Sequence, residues 1–344
     1  MNIKVLWTIS DNMGTAADLK MLKDIKHMKV DVITADREDK VSLGFALTGK
    51  KYIVPSGASA DYIESIKNIC KKEGITTLIP QYGDELVPLS RNIPLFDGLG
   101  VKIITTSDTE KLSIANNKIA LYDYFTESNF IPQYRRACTL NEIEKAIFEL
   151  GYPNKAVCLK PAASEGSKGF HIITNEKIDI LNERPGTAKI RWEVLKSQLE
   201  QYSKLPDILI MEYLPGTEYS VDCVCKNGET IVCIPRQRVE TSMGIAIESI
   251  IEKNDELIAI SKKIVKALNL SYNINIQFKY SREGLPKLIE INPRVSGSLV
   301  TNLGAGINML EVALNLAYGL PLPDLNIKWG AKMLRYWDQI FMEK

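Results

Sequence analysis

Hydrophobic and polar positions follow two different rhythms along the chain. In the first hundred residues, short apolar, β-prone runs at Ile3–Ile9, Val30–Thr34, Ile75–Ile79 and Val101–Thr105 recur around helical segments. One of these, Asp61–Glu73, stops at Gly74. Strands alternating with helices predict a parallel sheet with helices on its faces, an α/β arrangement. From Tyr152 onward the chain changes character. Strands are predicted at Ala156–Pro161, Phe170–Thr174, Ile208–Met211 and Glu218–Cys225, with a turn at Asn227-Gly228 and a returning strand at Thr230–Ile234. Residues 175–207 read as polar and largely helical, and Arg236, Arg238 and Glu240 lead into a loop at Met243-Gly244. Helices are predicted at Asp255–Leu268 and Asn308–Tyr318. Ser107-Asp108-Thr109-Glu110 has the form of a capping box, followed by a second helix over Asn117–Glu127 with Lys118 near its start.

The pattern concentrates polar chemistry in one stretch, Leu285–Leu299 (LPKLIEINPRVSGSL). Leu288, Glu290 and Asn292 share one face of a strand, and Ile289 and Ile291 share the other. Pro293 ends the pairing and Arg294 emerges beyond it. A carboxylate, an amide oxygen and an arginine at a strand end suit a hard cation and a phosphate. A strand that halts at a proline turn and leaves polar groups in solvent fits the same letters, so the rest of the chain decides. Upstream, Ser271–Tyr280 puts Asn273, Asn275 and Gln277 on one face. A two-residue turn at Glu283-Gly284 would set Gln277 opposite Glu290.

Composition removes several classes of function. The chain has 344 residues, 45% apolar and 25% charged. Lys+Arg number 43 and Asp+Glu 42, a balance that argues against a nucleic-acid protein driven by bulk charge. No long apolar run predicts a membrane span, and no signal peptide is read at the start, so a cytoplasmic protein is expected. The six cysteines sit singly or in strands and read as buried free thiols. With two histidines and no Cys-x-x-C, any metal would be held by oxygen. The first turn, Thr8–Gly14, lacks the glycine fingerprint of a dinucleotide site. No Walker loop is present either. Asp84 and Glu85 follow Pro80, where open α/β sheets place ligands, although the polar first turn of a helix accounts for them equally.

The order of these motifs gives them force. Lys118 precedes Lys160 and a small, flexible loop through Ser164, Glu165, Gly166, Ser167 and Gly169. Met211-Glu212-Tyr213-Leu214 follows, and the hairpin carrying Gln277, Glu290 and Asn292 is capped by Arg294. Over nearly its whole length the chain resembles the ATP-grasp superfamily. The run Asn292-Pro293-Arg294-Val295-Ser296, with Gln277 upstream, is similar to the synthetase domains of the carbamoyl phosphate synthetase large subunit. The resemblance implies a Rossmann-like open parallel sheet over residues 1–107. It implies an ATP-grasp domain of two α+β subdomains over 108–320, with a flexible lid at about 152–215, and a tail over 321–344.

It also implies roles. Lys118, Lys160 and the Ser164, Gly166, Ser167 and Gly169 loop would meet the phosphates of ATP. Glu212, Tyr213 and Leu214 would meet the adenine edge, and Glu218 the ribose. Gln277, Glu290 and Asn292 would hold Mg²⁺, with Mn²⁺ as an alternative. Arg294 would face the transferring phosphoryl group. Apart from the resemblance, Arg236 and Arg238 are candidates for an anionic substrate or acyl phosphate, with a surface arginine as the alternative for either, and Asp84 and Glu85 are candidates for substrate contacts. Glutamine at 277 departs from the acidic residue common in the superfamily, and Glu165 brings a negative charge to the phosphate loop. The implied function is an ATP-dependent carboxylate–amine ligase that releases ADP and phosphate. Bicarbonate phosphorylation of the carbamoyl-phosphate type and a non-catalytic ATP-binding module are the alternatives. The expected partners are a small carboxylate and an amine, with no nucleic acid and no membrane; a homodimer is compatible with the resemblance.

Overall fold

The alternation in the first hundred residues builds a parallel sheet. In the computed structural model, which describes residues 1–38, 42–162, 168–179, 181, 188–242 and 244–342, its strands are β1 (Asn2–Trp7), β2 (Lys29–Asp36), β3 (Tyr52–Ile53), β4 (Thr77–Ile79) and β5 (Lys102–Ile103). They lie in the order β3-β2-β1-β4-β5, every pair parallel. Val5 registers with Val32 on one side and Thr77 on the other. Side chains of successive residues leave opposite faces. Leu6 accordingly joins Tyr62, Leu78 and Phe96 in one core, while Val5 and Trp7 join Leu19 and Met21 in another. Both faces are therefore covered, as an all-parallel sheet requires. The helix Tyr62–Glu73 ends where it was expected to, with Gly74 in the left-handed region at φ +64°.

The second sheet comprises β6 (Tyr134–Ala137), β7 (Val157–Pro161), β8 (His171–Ile173), β9 (Lys189–Ile190) and β10 (Ile208–Glu212), in the order β6-β10-β7-β8-β9. The third comprises β11 (Glu218–Lys226), β12 (Glu229–Ser242), β13 (Ile245–Ile251), β14 (Tyr272–Tyr280), β15 (Pro286–Asn292) and β16 (Lys332–Leu334), in the order β15-β14-β11-β12-β13-β16. The class is mixed α/β with a parallel N-terminal sheet, as the sequence predicts.

The chain divides into two units. The first holds Met1–Asn116, Tyr219–Gln277 and Ile291–Lys344, and the second holds Asn117–Glu218 and Phe278–Glu290. In the first unit, helices Thr15–Lys23 and Met309–Tyr318 share a buried apolar cluster with Val224, Val232 and Ile234. In the second, helix Leu140–Glu149 buries Ile143, Ala146 and Ile147 against Val157, Ile208 and Ile210.

Several local expectations need correction. Helix Thr109–Ala115 starts one residue later than the capping box implied. Asp108, not Ser107, is its cap, because the Asp108 carboxylate accepts from Lys111 N. Among the described residues of 175–207, only Trp192–Leu199 is α-helical and Lys189–Ile190 is a strand. The polar composition there reflects exposure, not helix. Arg236, Arg238 and Glu240 lie within β12, which runs eight residues past the expected end to Ser242 because β13 pairs with it. Cys138 is exposed, while the other five cysteines are buried thiols. The hairpin turn is also longer than two residues. Ser281 N donates to Leu285 O and Gly284 N to Ser281 O, with Gly284 at φ +75°. The loop is Arg282–Gly284, so the count that set Gln277 opposite Glu290 does not carry over. No helix of the described residues is long and apolar enough to cross a membrane.

Candidate active site

In the second unit the site begins with two lysines and a carboxylate. Asn117 caps the helix Lys118–Tyr124, its side-chain oxygen accepting from Ile119 N and Ala120 N. This fixes Lys118 at the first helical position. Lys118 Nζ lies 2.9 Å from Glu290 Oε2. Its side chain is 16% exposed, so it is not the solvated surface charge that an isolated helix lysine suggests. Tyr122 of the same helix donates to Ile289 O at 2.8 Å, tying the helix to β15 one residue before Glu290. Lys160 is buried in β7, in register with Leu209 of β10. Burial and the nearby Lys118 ammonium push its amine down to about 8, while Glu290 pulls it the other way.

That shift has a testable sign. An unfolded lysine titrates near 10.5, so between pH 8 and 10.5 the unfolded chain binds more protons and stability rises with pH. Below pH 8 the full penalty of a buried ammonium is present. Lys160→Met should therefore raise stability at pH 7, by on the order of 2–3 kcal/mol, with the gain fading towards pH 10.5. Thermal melts of the two proteins across this range check it; an equal difference at pH 7 and pH 10 would contradict it.

The neighbouring predicted residues follow from β10. Glu212 Oε1 accepts from Gln133 N at 2.9 Å, and Glu212 N donates to Gln133 O, so its carboxylate closes on the backbone beside it. Leu214 is buried, and the Lys279 ammonium lies 5.9 Å from the centre of the half-buried Tyr213 ring. Glu218 opens β11 and is half-buried. Gly169 needs to be glycine twice over: its φ is +68°, and a Cβ there would lie 2.7 Å from Pro161 Cδ. Ser164, Glu165, Gly166 and Ser167 lie outside the described residues.

In the first unit the structure reveals a buried network that the sequence reading missed. Asp222 of β11 has no solvent exposure. Its Oδ2 accepts from Arg236 Nε at 2.8 Å and Asn302 Nδ2 at 2.9 Å. Its Oδ1 accepts from Asn275 Nδ2 at 2.7 Å and Ser296 Oγ at 3.0 Å. Burial alone would raise the carboxyl, but Arg236 and the other donors hold it below its ordinary value. The signal was present in the letters: an aspartate inside the apolar run Val221-Asp222-Cys223-Val224. Arg236 is 2% exposed and donates through Nη2 to Ser296 Oγ at 3.4 Å, while its buried Nη1 makes no hydrogen bond among the described residues.

The amides of β14 continue from this network. Asn275 Oδ1 accepts from Gln277 Nε2 at 3.3 Å, and Gln277 Oε1 accepts from Arg238 Nη1 at 3.1 Å. Arg238 also donates to Gly244 O. Beyond β15, Arg294 donates to Val295 O at 2.8 Å and to Asn292 Oδ1 at 3.4 Å. The segment after it is fixed at each residue. Ser296 reaches Asp222, Gly297 O accepts from Arg335, and Ser298 Oγ accepts from Ala246 N. Arg335, also missed, donates to Met13 O and Ala246 O as well.

Each predicted metal donor thus meets a cation: Glu290 meets Lys118, Gln277 meets Arg238 and Asn292 meets Arg294. Among the described residues, no cluster of three or more His, Cys, Asp or Glu could hold a metal ion. A donor set of one carboxylate and two amide oxygens is chemically suited to Mg²⁺, which takes oxygen ligands and keeps waters.

Asp84 and Glu85 open the helix Gly83–Arg91 and diverge in environment. Glu85 is fully buried; its carboxylate accepts from Thr8, Tyr62, Gln81 N and Tyr82 N. Burial raises its carboxyl despite these donors. Asp84 pairs with Arg37 and accepts from Ser56 Oγ at 2.6 Å, and the Arg37 guanidinium lies 4.2 Å from the centre of the Tyr82 ring.

Comparison with known proteins agrees with this architecture. Residues 204–333 match the family described as "ATP-grasp in the biosynthetic pathway with Ter operon", and residues 13–104 match the "PylC-like, N-terminal domain". The chain is 27% identical over 310 residues to the carbamoyl phosphate synthase large chain of Clostridium acetobutylicum, covering 86% of this chain and 26% of that one. It therefore spans about a quarter of that curated relative's length. Among solved structures, biotin carboxylase from Campylobacter jejuni in a β,γ-ATP complex superposes with a TM-score of 0.67 at 16% identity, over 96% of this chain and 74% of that one. N5-carboxyaminoimidazole ribonucleotide synthetase from Thermotoga maritima gives 0.62 at 18% identity, over 94% and 78%. Residues 204–333 thus carry the pattern of an ATP-grasp family, and the chain is similar to part of the carbamoyl phosphate synthase large chain.

Proposed function

We propose that this chain is an ATP-dependent carboxylate–amine ligase, acting in the cytoplasm through an acyl phosphate. The observation that carries the reading is Glu290 at 2.9 Å from Lys118, with the buried Lys160 close enough for both to shift its amine. Two ammonium groups beside one carboxylate offer cations for phosphates and an anion for a divalent metal. Lys118 and Lys160 bind the phosphates of ATP, together with Ser164, Gly166, Ser167 and Gly169. Glu212, Tyr213 and Leu214 receive the adenine edge, and Glu218 the ribose. Gln277, Glu290 and Asn292 would hold Mg²⁺, which supplies charge neutralisation at the β- and γ-phosphate oxygens.

The substrate carboxylate oxygen attacks the γ-phosphorus and ADP leaves, giving an acyl phosphate. Arg294 offers a planar fork to the phosphoryl oxygens, which a lysine does not. The amine then attacks the acyl carbon, loses a proton, and phosphate leaves with one former carboxylate oxygen. Positioning and charge cancellation do most of this work, so no side-chain nucleophile is required. Arg236 would meet an anion through Nη1, and Arg238 has a similar role on the same strand. Asp84 serves as the substrate-facing acid, whereas Glu85 supports the turn beneath it.

A coupled ADP-release screen of small carboxylates and amino acids, tested in pairs, examines the proposal. ADP and phosphate should form only when an acid and an amine are both present. Carbamoyl phosphate formed from bicarbonate would replace this reading with a synthase-like one. Nucleotide binding with no ADP from any pair would replace it with a regulatory module.

A further inference from the structure

We propose that Asp222 is a positioning residue that sets which end of the Gln277 side chain is offered to the metal. The inference rests on Gln277 being a metal donor, as in the proposed function. An ionised carboxylate only accepts hydrogen bonds, and its oxygens have room for about four donors. Asp222 is given four: Arg236 Nε, Asn302 Nδ2, Asn275 Nδ2 and Ser296 Oγ. Because Asp222 cannot donate, Asn275 must turn its NH₂ towards it. The Asn275 oxygen then faces Gln277 and accepts from Gln277 Nε2 at 3.3 Å. With its NH₂ committed to Asn275, Gln277 carries its oxygen at the other side, where Arg238 Nη1 donates to it at 3.1 Å.

The chemical need for such a device follows from the residue type. A carboxylate at 277 would offer oxygen whichever way it turned. A glutamine offers oxygen at one end and NH₂ at the other, and NH₂ cannot ligate Mg²⁺. The polarity must therefore be imposed from outside, and the relay Asp222–Asn275–Gln277 imposes it. Groups that hold a metal ligand, as Asn275 holds Gln277, typically alter metal affinity 10- to 100-fold when replaced, and Asp222 acts through Asn275. Asp222 and Asn275 are 0% and 2% exposed, so water is poorly placed to substitute for either.

The test uses Mn²⁺ titrated into the full chain with ADP present, the bound ion being followed by water-proton relaxation. Asp222→Asn keeps the shape but introduces a donor, so either amide polarity becomes available. It should weaken Mn²⁺ binding by about tenfold or more. In a Gln277→Glu background, where no polarity needs setting, the same substitution should cause no loss. A role confined to fold stability would give equal losses in both backgrounds and would overturn the proposal, as would undiminished binding in the Asp222→Asn single variant. Should Asp222→Asn not fold, Asn275→Ala breaks the relay while leaving the Asp222–Arg236 pair in place, and the same contrast between backgrounds is expected. Gln277→Ala separates the two levels. If it binds Mn²⁺ as well as the native chain, Gln277 is not a donor and the underlying reading fails. If it binds weakly while Asp222→Asn is unaffected, only the positioning role fails.

Discussion

Glu290→Ala should abolish ADP release, by at least about a thousandfold, while leaving the chain folded. The size follows from what the carboxylate does in the proposed reaction. It is the one anionic donor in the metal set, and it faces Lys118 at 2.9 Å. Charge stabilisation of a transferring phosphoryl group depends on such fixed groups, and losing one typically costs two to three orders of magnitude or more. The variant would also leave Lys118 and Lys160 without Glu290, and the Lys160 amine should fall further below its native value of about 8. Nucleotide binding at pH 7 would then weaken as well. Steady-state ADP release and a thermal melt together check the expectation. Turnover within a few-fold of the native chain would refute the metal assignment.

The second large effect is on stability. Arg236→Ala should cost about 3–5 kcal/mol, because it leaves the Asp222 carboxylate buried without its cation. Breaking one partner of a buried pair is worse than replacing both, so Asp222→Asn combined with Arg236→Met should recover much of the loss. The pH dependence separates the two cases. In the native chain Asp222 is held below its ordinary value, so the pair's contribution is present above about pH 4 and is lost as pH falls through the lowered native value. In Arg236→Ala the carboxyl should instead titrate above its unfolded value, and acidification from pH 7 should narrow the stability deficit. Urea melts at pH 7 and pH 5 test this. A deficit that widens on acidification would contradict the assigned roles.

What the letters disclosed and what they withheld divide along physical lines. The parallel sheet was legible because strands buried on both faces read as short continuous apolar runs bounded by turn residues; Val5, Leu6 and Trp7 are all without exposure. Lys118, Lys160, Glu290 and Arg294 stood out because their order along the chain carries information. The course of β12 was hidden because its last residues, exposed and polar, extend only through pairing with β13. Nothing local in Arg236 or Arg238 says strand. The Asp222 network was hidden for a similar reason: its members lie at 222, 236, 275, 296 and 302, and only the fold brings them together. Arg335 follows the same rule, holding Met13, Ala246 and Gly297 from far along the chain. The hairpin loop shows how narrow the margin is. One further residue before Gly284 was enough to undo a register counted from sequence.

The central claim is that a substrate carboxylate is phosphorylated and then displaced by an amine. The most direct measurement uses an acid found productive in the ADP-release screen, labelled with oxygen-18 in its carboxylate, and determines the isotope in the released phosphate by mass spectrometry. The acyl-phosphate account predicts that each phosphate formed carries one oxygen from the carboxylate. Phosphate free of the label, released alongside a normal yield of amide, would contradict it.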